Sequence, residues 1–471
     1  MRKISCAFFF LAVSSTAPLN SQTWKPLDEY ISSGPVYIGP TDDTPDGRDA
    51  GEQPYTPLSM LLGTPPPQNE SITKPMPDFS NAPIPDPLLL KPTRLTSREM
   101  EYARTAWAYF EQNTHPVTGL VPSVRKFKSM TLWDEGGYIL ALVSAYKLNI
   151  VSRASAVNRL TTAIGSIASL PLYKGVVPNK AYNIETLIMT DYANKPKPKG
   201  IGYSALDVMR LMSGLLVAAQ HFPELFPLIQ LVVQRWDLGA LAKDNRFQGV
   251  ALLHKKYAKQ VQEGRIGYEQ YAGVTGKILG LPVEQAYHYA PVLRWQQYYD
   301  IRLPADNRTA KTHGVSAVTT SEPFLLEALE YGWRTEAYNV ATAVFKAQLH
   351  RYQRTGQLTA LSEDHIKGPP YFAYNGILVD FEPFKSVTAS RKDVSDKRGI
   401  SAKASFGWWA VTRHPYTETL LAEIEQLQTA EGWMAGLFEH DMSKNEILTL
   451  NTNAMILEAL HYKAFGPLYT F

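Results

Sequence analysis

Residues 133–146 read WDEGGYILALVSAY, and the fold follows from how this stretch is understood. A polar start leads into residues that are apolar or small on every side of a helix. A helix that is apolar nearly all round has to be buried on most of its surface. Five further segments repeat the pattern: GYSALDVMRLMSGLLVAA (202–219), GYEQYAGVTGKIL (267–279), SEPFLLEALEYGW (321–333), KASFGWWAV (403–411) and NTNAMILEALHY (451–462). Between them lie evenly amphipathic stretches such as SRASAVNRLTTAIGSIASL (152–170), LFPLIQLVVQRWDLGALA (225–242), RTEAYNVATAVFKAQLHRYQ (334–353) and YTETLLAEIEQLQ (416–428). Buried helices alternating with amphipathic ones predict a double ring, an (α/α)6 toroid of six inner and six outer helices. Closure buries each inner helix, whereas an open helical solenoid would show more regular periods and fewer polar helix starts. Runs of β-branched alternation are almost absent, so the expected class is all-α. The cavity is expected at the end where the inner helices begin.

Outward from the ring, helical texture starts at Thr96 with SREMEYARTAWAYFEQN, where Ser97 reads as the N-cap and Glu101 lies just inside. The region from Pro26 to Pro92 holds nearly half of the 33 prolines, among them Pro65, Pro66 and Pro67. Proline fixes φ and removes a donor, so this region reads as an extended arm. At the N-terminus Arg2 and Lys3 precede the apolar run Ile4–Val13 and the small residues Ser14, Ser15, Thr16 and Ala17. That is the pattern of an export signal, too short to span a bilayer. The expected organisation is a signal over 1–21, a Pro-rich arm over 22–94 and the toroid over 95–471. The single cysteine, Cys6, lies in the signal, so the exported chain carries no thiol chemistry.

Net charge is +3, too small to argue for nucleic acid as a partner. Phosphate-cradling loops, a G-x-S-x-G elbow and an H-E-x-x-H motif are all missing, and the ten histidines are scattered. No metal and no cofactor is expected. Acids, by contrast, recur at the starts of successive inner helices. Asp134 follows Trp133, Asp207 follows Tyr203, and Glu263 and Arg265 precede Tyr268 and Glu269. Glu322 opens SEPFLL, and Glu363 and Asp364 stand in LSEDH, which reads as a loop between an outer and an inner helix. One acid at a helix N-terminus is often only a cap. Several acids at one rim, among aromatic rings, are what glycoside hydrolysis requires: one carboxyl to protonate the leaving oxygen, another to attack or to activate water, about 5–9.5 Å away. The chain's nine Trp and 26 Tyr supply rings on which sugars stack. The candidate catalytic acids are Glu363 first, Glu322 as its partner, then Asp134 and Asp207. The candidate substrate-binding residues are Trp133, Tyr203, Glu263, Arg265, Tyr268, Glu269, Asp364, Trp408, Trp433 and Asn453.

The motifs TLWDEGGYILALVSAYKL, GYSALDVMRL, EGRIGYEQYA, SEPFLLEALEYG, LTALSEDH with PPYFAYN, KASFGWW and the C-terminal NTN segment, in this order from about Thr96 to Gly466, resemble a bacterial family of unknown function. That family is similar to the glycoamylase-like β-1,2-glucanases and to the transglycosylating middle domain of cyclic β-1,2-glucan synthases. The resemblance implies an (α/α)6 toroid, a carbohydrate substrate and a link to exopolysaccharide synthesis. It matches Trp133 and Asp134 to a Trp-Asp helix start, Asp207 to the acid of a Ser-Thr-Val-Asp helix, Glu363 to a Ser-Glu motif and Glu322 to a Glu-Tyr-Leu helix start.

Three readings stay open at this point. The first is a secreted or periplasmic glycoside hydrolase or transglycosylase acting on a bacterial polysaccharide, a β-glucan or exopolysaccharide. The second is a non-catalytic glycan-binding accessory to exopolysaccharide synthesis or export machinery. The third is a polysaccharide lyase using Tyr203, Tyr268, His365 and Asn375. Oligosaccharide or polysaccharide is the expected partner in all three. Protein recovered from its native host should begin after about the first 20 residues. Intact-mass measurement checks this, and a chain retaining Met1 and Cys6 would contradict export.

Overall fold

The computed structural model describes residues 90–253 and 257–471. The expected signal, and the expected arm up to residue 89, lie outside the described residues. Six inner helices run over Leu132–Lys147, Ala205–His221, Tyr268–Ile278, Glu322–Tyr331, Ala402–Thr412 and Leu450–Phe465. Each packs on the next, and the sixth returns to the first, so the ring closes. Every residue of Glu322–Tyr331 and of Ala402–Thr412 is buried, as their all-round apolar composition requires. Close approach needs small residues: a Cβ on Gly136 of the first inner helix would stand 2.6 Å from the Arg210 carbonyl oxygen of the second.

The outer layer is amphipathic. Arg153–Ser169 buries Ala156, Leu160, Ala163, Ile164 and Ile167, a single stripe at helical spacing. Ser97–Asn113, Phe226–Arg235, Thr335–Thr355 and Pro415–Ile424 complete the long outer helices. The sixth outer position departs from expectation. Between the third and fourth inner helices stand two four-residue helices, Glu284–Tyr287 and Ala310–His313, the hairpin Leu293–Tyr298/Ile301–Asp306 and the short strand Val318–Thr319, with no long helix among them. The first helix is capped by Thr96, not Ser97. Thr96 Oγ1 accepts from Glu99 N at 3.2 Å and Glu99 Oε2 accepts from Thr96 N at 2.9 Å, a reciprocal capping box.

The all-α expectation describes the two layers but not their connections. The described residues also form six small sheets, all in the links between helices. Glu363–His365, read as loop, is a strand paired antiparallel with Phe372–Tyr374. Such strands are too short for their alternation to stand out in sequence.

Polar residues plug the ring axis. Arg210 is fully buried and bonds Tyr271 Oη at 3.0 Å and Glu458 Oε1 at 3.1 Å, and it pairs with Glu330. These groups come from the second, third, fourth and sixth inner helices, so one guanidinium ties four helices at the centre.

Candidate active site

Three of the inner helices start behind a hydroxyl cap. Thr131, Ser204 and Thr449 accept from the backbone N–H three residues on, at 3.2, 3.1 and 3.1 Å. This geometry places the first turns at one end of the ring, and every inner helix contributes a polar or aromatic residue there: Trp133 and Asp134, Asp207, Tyr268, Glu322, Lys403 and Asn451.

Glu322 is the anchor. It is 2% exposed. Its Oε2 accepts from Lys403 Nζ at 2.5 Å and from Ser362 Oγ at 3.3 Å, and its Oε1 accepts from Asn451 Nδ2 at 2.8 Å. Burial alone would raise its pKa, but the Lys403 ammonium and these hydrogen bonds hold it below the usual carboxylate range. Lys403 sits in the first turn of its own helix, where the dipole disfavours a cation. The Glu322 pair, a 2.6 Å bond to the Glu363 carbonyl oxygen and Asp364 Oδ1 at 3.5 Å offset that cost.

Glu363 is half-buried on its strand beside this anchor. Burial, and then the fixed negative charge of Glu322, push its pKa up to about 8. Tyr268 hydrogen-bonds to its carboxyl, and Tyr374 feels its charge. Trp133 meets Tyr268 edge-on at 5.5 Å and lies over Arg210 at 5.1 Å. Asp207 is also half-buried, with its pKa pushed up to about 7 by burial and by Glu263. Glu263 Oε2 accepts from Ala205 N at 2.6 Å and so also caps that helix. Tyr374 and Tyr192 both feel the Asp207 charge, and Tyr192 is 61% exposed. Asp134 is buried, accepts from Thr131 Oγ1 at 2.7 Å and is raised by burial, with Glu322 adding to the shift. Asp134, Asp207, Glu322 and Glu363 therefore share one electrostatic neighbourhood.

Several expected site residues do other work. Trp408 is 1% exposed, with its Nε1 on Ser321 Oγ at 2.9 Å. Trp433 is fully buried, with its Nε1 on the Tyr102 carbonyl oxygen at 3.1 Å. Asn453 is fully buried and ties Trp433 N to its own helix start, so the neighbouring Asn451 is the one that reaches Glu322. Trp408 packs on Trp333 and Phe345, and Trp433 on Tyr102 and Phe406, so both rings are core. Tyr203 is buried, its hydroxyl 3.4 Å from the Ala240 carbonyl oxygen. Arg265 bonds Gln262 Oε1 at 3.0 Å and the Gly264 carbonyl oxygen at 2.7 Å, and Glu269 points away from Glu363 toward Arg308. Asp364 is buried beside Lys403, with its pKa pushed up to about 7 by burial. Of the lyase candidates, Asn375 is 2% exposed and braces the Ser362 carbonyl oxygen at 2.8 Å. His365 is held neutral, its pKa lowered to about 4 by burial and by Lys403. Sequence reasoning missed the roles of Lys403, Asn451, Tyr192 and Tyr374. A lone lysine opening the apolar segment KASFGWWAV was the available signal for the first. Among the described residues, no group of His, Cys, Asp and Glu is placed to share a metal ion.

A family model described as "Protein of unknown function (DUF3131)" matches residues 101–466. No curated protein matches the chain. Among solved structures, an endo-β-1,2-glucanase from Chitinophaga pinensis, in complex with sophorotriose and glucose, is 12% identical with a TM-score of 0.58, covering 80% of this chain and 94% of that one. A candidate glucoamylase from Bacteroides fragilis is 14% identical with a TM-score of 0.58, over 79% and 93% of the two chains. An endo-β-1,2-glucanase from Talaromyces funiculosus, in complex with sophorose, is 10% identical with a TM-score of 0.54, over 79% and 84%. At these identities the likeness establishes the fold, a glucoamylase-like helical barrel.

Removing one member of a buried ion pair strands the other. Lys403→Met should destabilise the protein by about 3–5 kcal/mol, and the double change Glu322→Gln/Lys403→Met should recover part of that loss. Urea unfolding of the three variants checks this. Equal loss in the single and double variants would contradict the ion-pair account.

Proposed function

The chain belongs to the DUF3131 family, and on that premise we propose that it is a glycoside hydrolase acting on a glucan, with Glu363 as the general acid and Asp207 as the second carboxylate, both near Tyr374. The observation that carries the reading is the division of labour among neighbouring carboxyls. Glu322 is held ionised by Lys403, and burial first, then the Glu322 charge, keep Glu363 protonated near neutral pH, with a pKa of about 8. Acid–base hydrolysis needs one reacting carboxyl protonated and the other ionised; with Glu363 pushed up to about 8 and Asp207 to about 7, that combination is most populated between these two values. Glu322, with both oxygens engaged and little exposure, acts on Glu363 through its charge. It is a positioning residue, in place of the direct partner that the sequence pattern favoured.

Asp207 has the exposure that Glu322 lacks and borders the aromatic residues Tyr192 and Tyr374. In its ionised fraction it can accept a proton from water or approach the anomeric carbon. Trp133, Tyr268, Tyr374 and Tyr192 offer rings and hydroxyls for sugar units. The β-1,2 linkage is the first to test, because glucanases for it share the fold. The export pattern of residues 1–17 supports action in the periplasm or outside the cell.

Reducing-end release from β-1,2-glucan and a panel of other β-glucans tests the reading. Glu363→Gln should lower turnover by about 10²–10⁴-fold at an unchanged melting temperature, and Asp207→Asn should act in the same direction. Because Glu363 acts in its protonated form, wild-type activity should fall as pH rises through about 8. Normal turnover in Glu363→Gln would sink the assignment. A chain that binds sophorose but releases no reducing ends from any glucan would point to the accessory reading instead.

A further inference from the structure

The third inner helix starts between two environments. Tyr268 faces Glu363, while the next residue, Glu269, is fully buried on the other side. There Glu269 accepts from Gln262 Nε2 at 3.1 Å and pairs with Arg308 Nη1 at 2.6 Å. Arg308 is also gripped by Asp306, through Nε to Oδ1 at 2.9 Å and Nη2 to Oδ2 at 2.7 Å, so its charge is structural and fixed. A cavity of about 510 Å³ opens above these groups. Lys243, Arg246 and Arg308 supply cations to its lining, and Gln248, Gln262 and Asn307 supply amides. Asp244 and His313 complete the wall.

Two observations distinguish this cleft from a solvated ion-pair cluster. Arg246 Nη1 is buried yet donates no hydrogen bond, and its nearest carboxylate, Glu269 Oε1, stands 3.6 Å away. A buried guanidinium donor without an acceptor is costly, and a small turn of the partly exposed Arg246 side chain would bring it onto an anion in the cleft. The cations also act on the titrating groups around the cleft. His313 is pushed down by burial and then by the Arg265 and Arg308 charges, and Arg265 is itself lowered by burial and by Arg308. The lining residues include no Trp, Tyr or Phe, unlike the Trp133–Tyr268–Tyr374 side, so the cleft lacks the broad stacking platform that a neutral sugar favours.

We propose that this cleft is a subsite for an anionic sugar unit, a hexose carrying a carboxylate, on the same glycan chain that reaches Glu363 and Asp207. The proposal rests on the glycosidase reading for its connection to catalysis. Two pairs of consecutive residues join the sites: Tyr268 and Glu269, and Glu263 and Gln262, with one member of each pair on either side. Arg246 and Lys243 take the carboxylate, and the three amides take ring hydroxyls. The natural substrate is then an acidic glucan-type polysaccharide, and a plain glucan is a partial one.

Ligand-observed NMR titration of the full chain at low ionic strength tests this with D-glucuronate, D-glucose, D-glucose 6-phosphate and sophorose. Glucuronate should bind at least about tenfold more tightly than glucose, and Lys243→Gln/Arg246→Gln should remove that difference, with thermal melting of the variant confirming that it stays folded. Sophorose should bind both proteins alike, because it reports on the Glu363 side. Glucuronate binding no tighter than glucose, or unchanged in the folded variant, overturns the subsite. A preference for glucose 6-phosphate over glucuronate overturns the carboxylate in favour of a phosphate. Glucuronate binding without any sophorose binding leaves the anion site standing and removes the glucan reading.

Discussion

One guanidinium sets the conditions for the site. Arg210 is fully buried at the ring axis, and its partners belong to the second, third, fourth and sixth inner helices. Two carboxyls share it, and burial raises both, Glu458 to about 8. A cation so placed fixes how far the helices close on one another. It also lies beneath the Trp133 ring, and its charge helps to keep Glu322 ionised. The structural core and the chemistry above it are thus electrostatically continuous.

From that floor upward, the arrangement is a sequence of constraints. The close glycine contact at Gly136 lets the first and second inner helices meet. Their hydroxyl caps orient Asp134 and Asp207 in first turns. Lys403 then accepts an unfavourable place near its helix N-terminus because Glu322 and the Glu363 backbone stand opposite. The product is a carboxylate that stays charged next to a carboxyl that keeps its proton. Both are glutamates, so the property is not one of residue type. The difference comes from burial of Glu363 and from which of the two carboxyls the ammonium touches.

Much of this was legible in the sequence. Buried helices betray themselves by being apolar all round, and polar residues at their starts have nowhere to go but the rim. Asp134, Asp207 and Glu322 were picked out on that logic, and Glu363 as a residue of a loop leading to the next inner helix. Which neighbour of a pair faces the rim was not legible. Residues two apart on a helix point about 200° apart, so Asn451 meets Glu322 while Asn453 turns into the core. Tyr268 and Glu269 part in the same way, about 100° apart, toward an aromatic site and a basic cleft. Trp408 and Trp433 carried a sugar-binding composition signal but are core, because ring chemistry does not encode surroundings. Lys403 escaped notice because its partner lies 81 residues away in sequence.

The account turns on opposite ionisation of two neighbouring glutamates, and that can be read directly. Carbon-detected NMR of protein labelled at the glutamate side-chain carboxyl carbons, with Glu322→Gln and Glu363→Gln for assignment, follows each group through a pH titration. The account predicts that the Glu363 carboxyl titrates near 8 and that Glu322 remains ionised below the usual carboxylate range. It also predicts that Glu322→Gln moves the Glu363 midpoint downward, since a fixed negative charge has been removed. A Glu363 carboxyl already ionised at pH 6, or one whose midpoint ignores the loss of Glu322, would contradict the account.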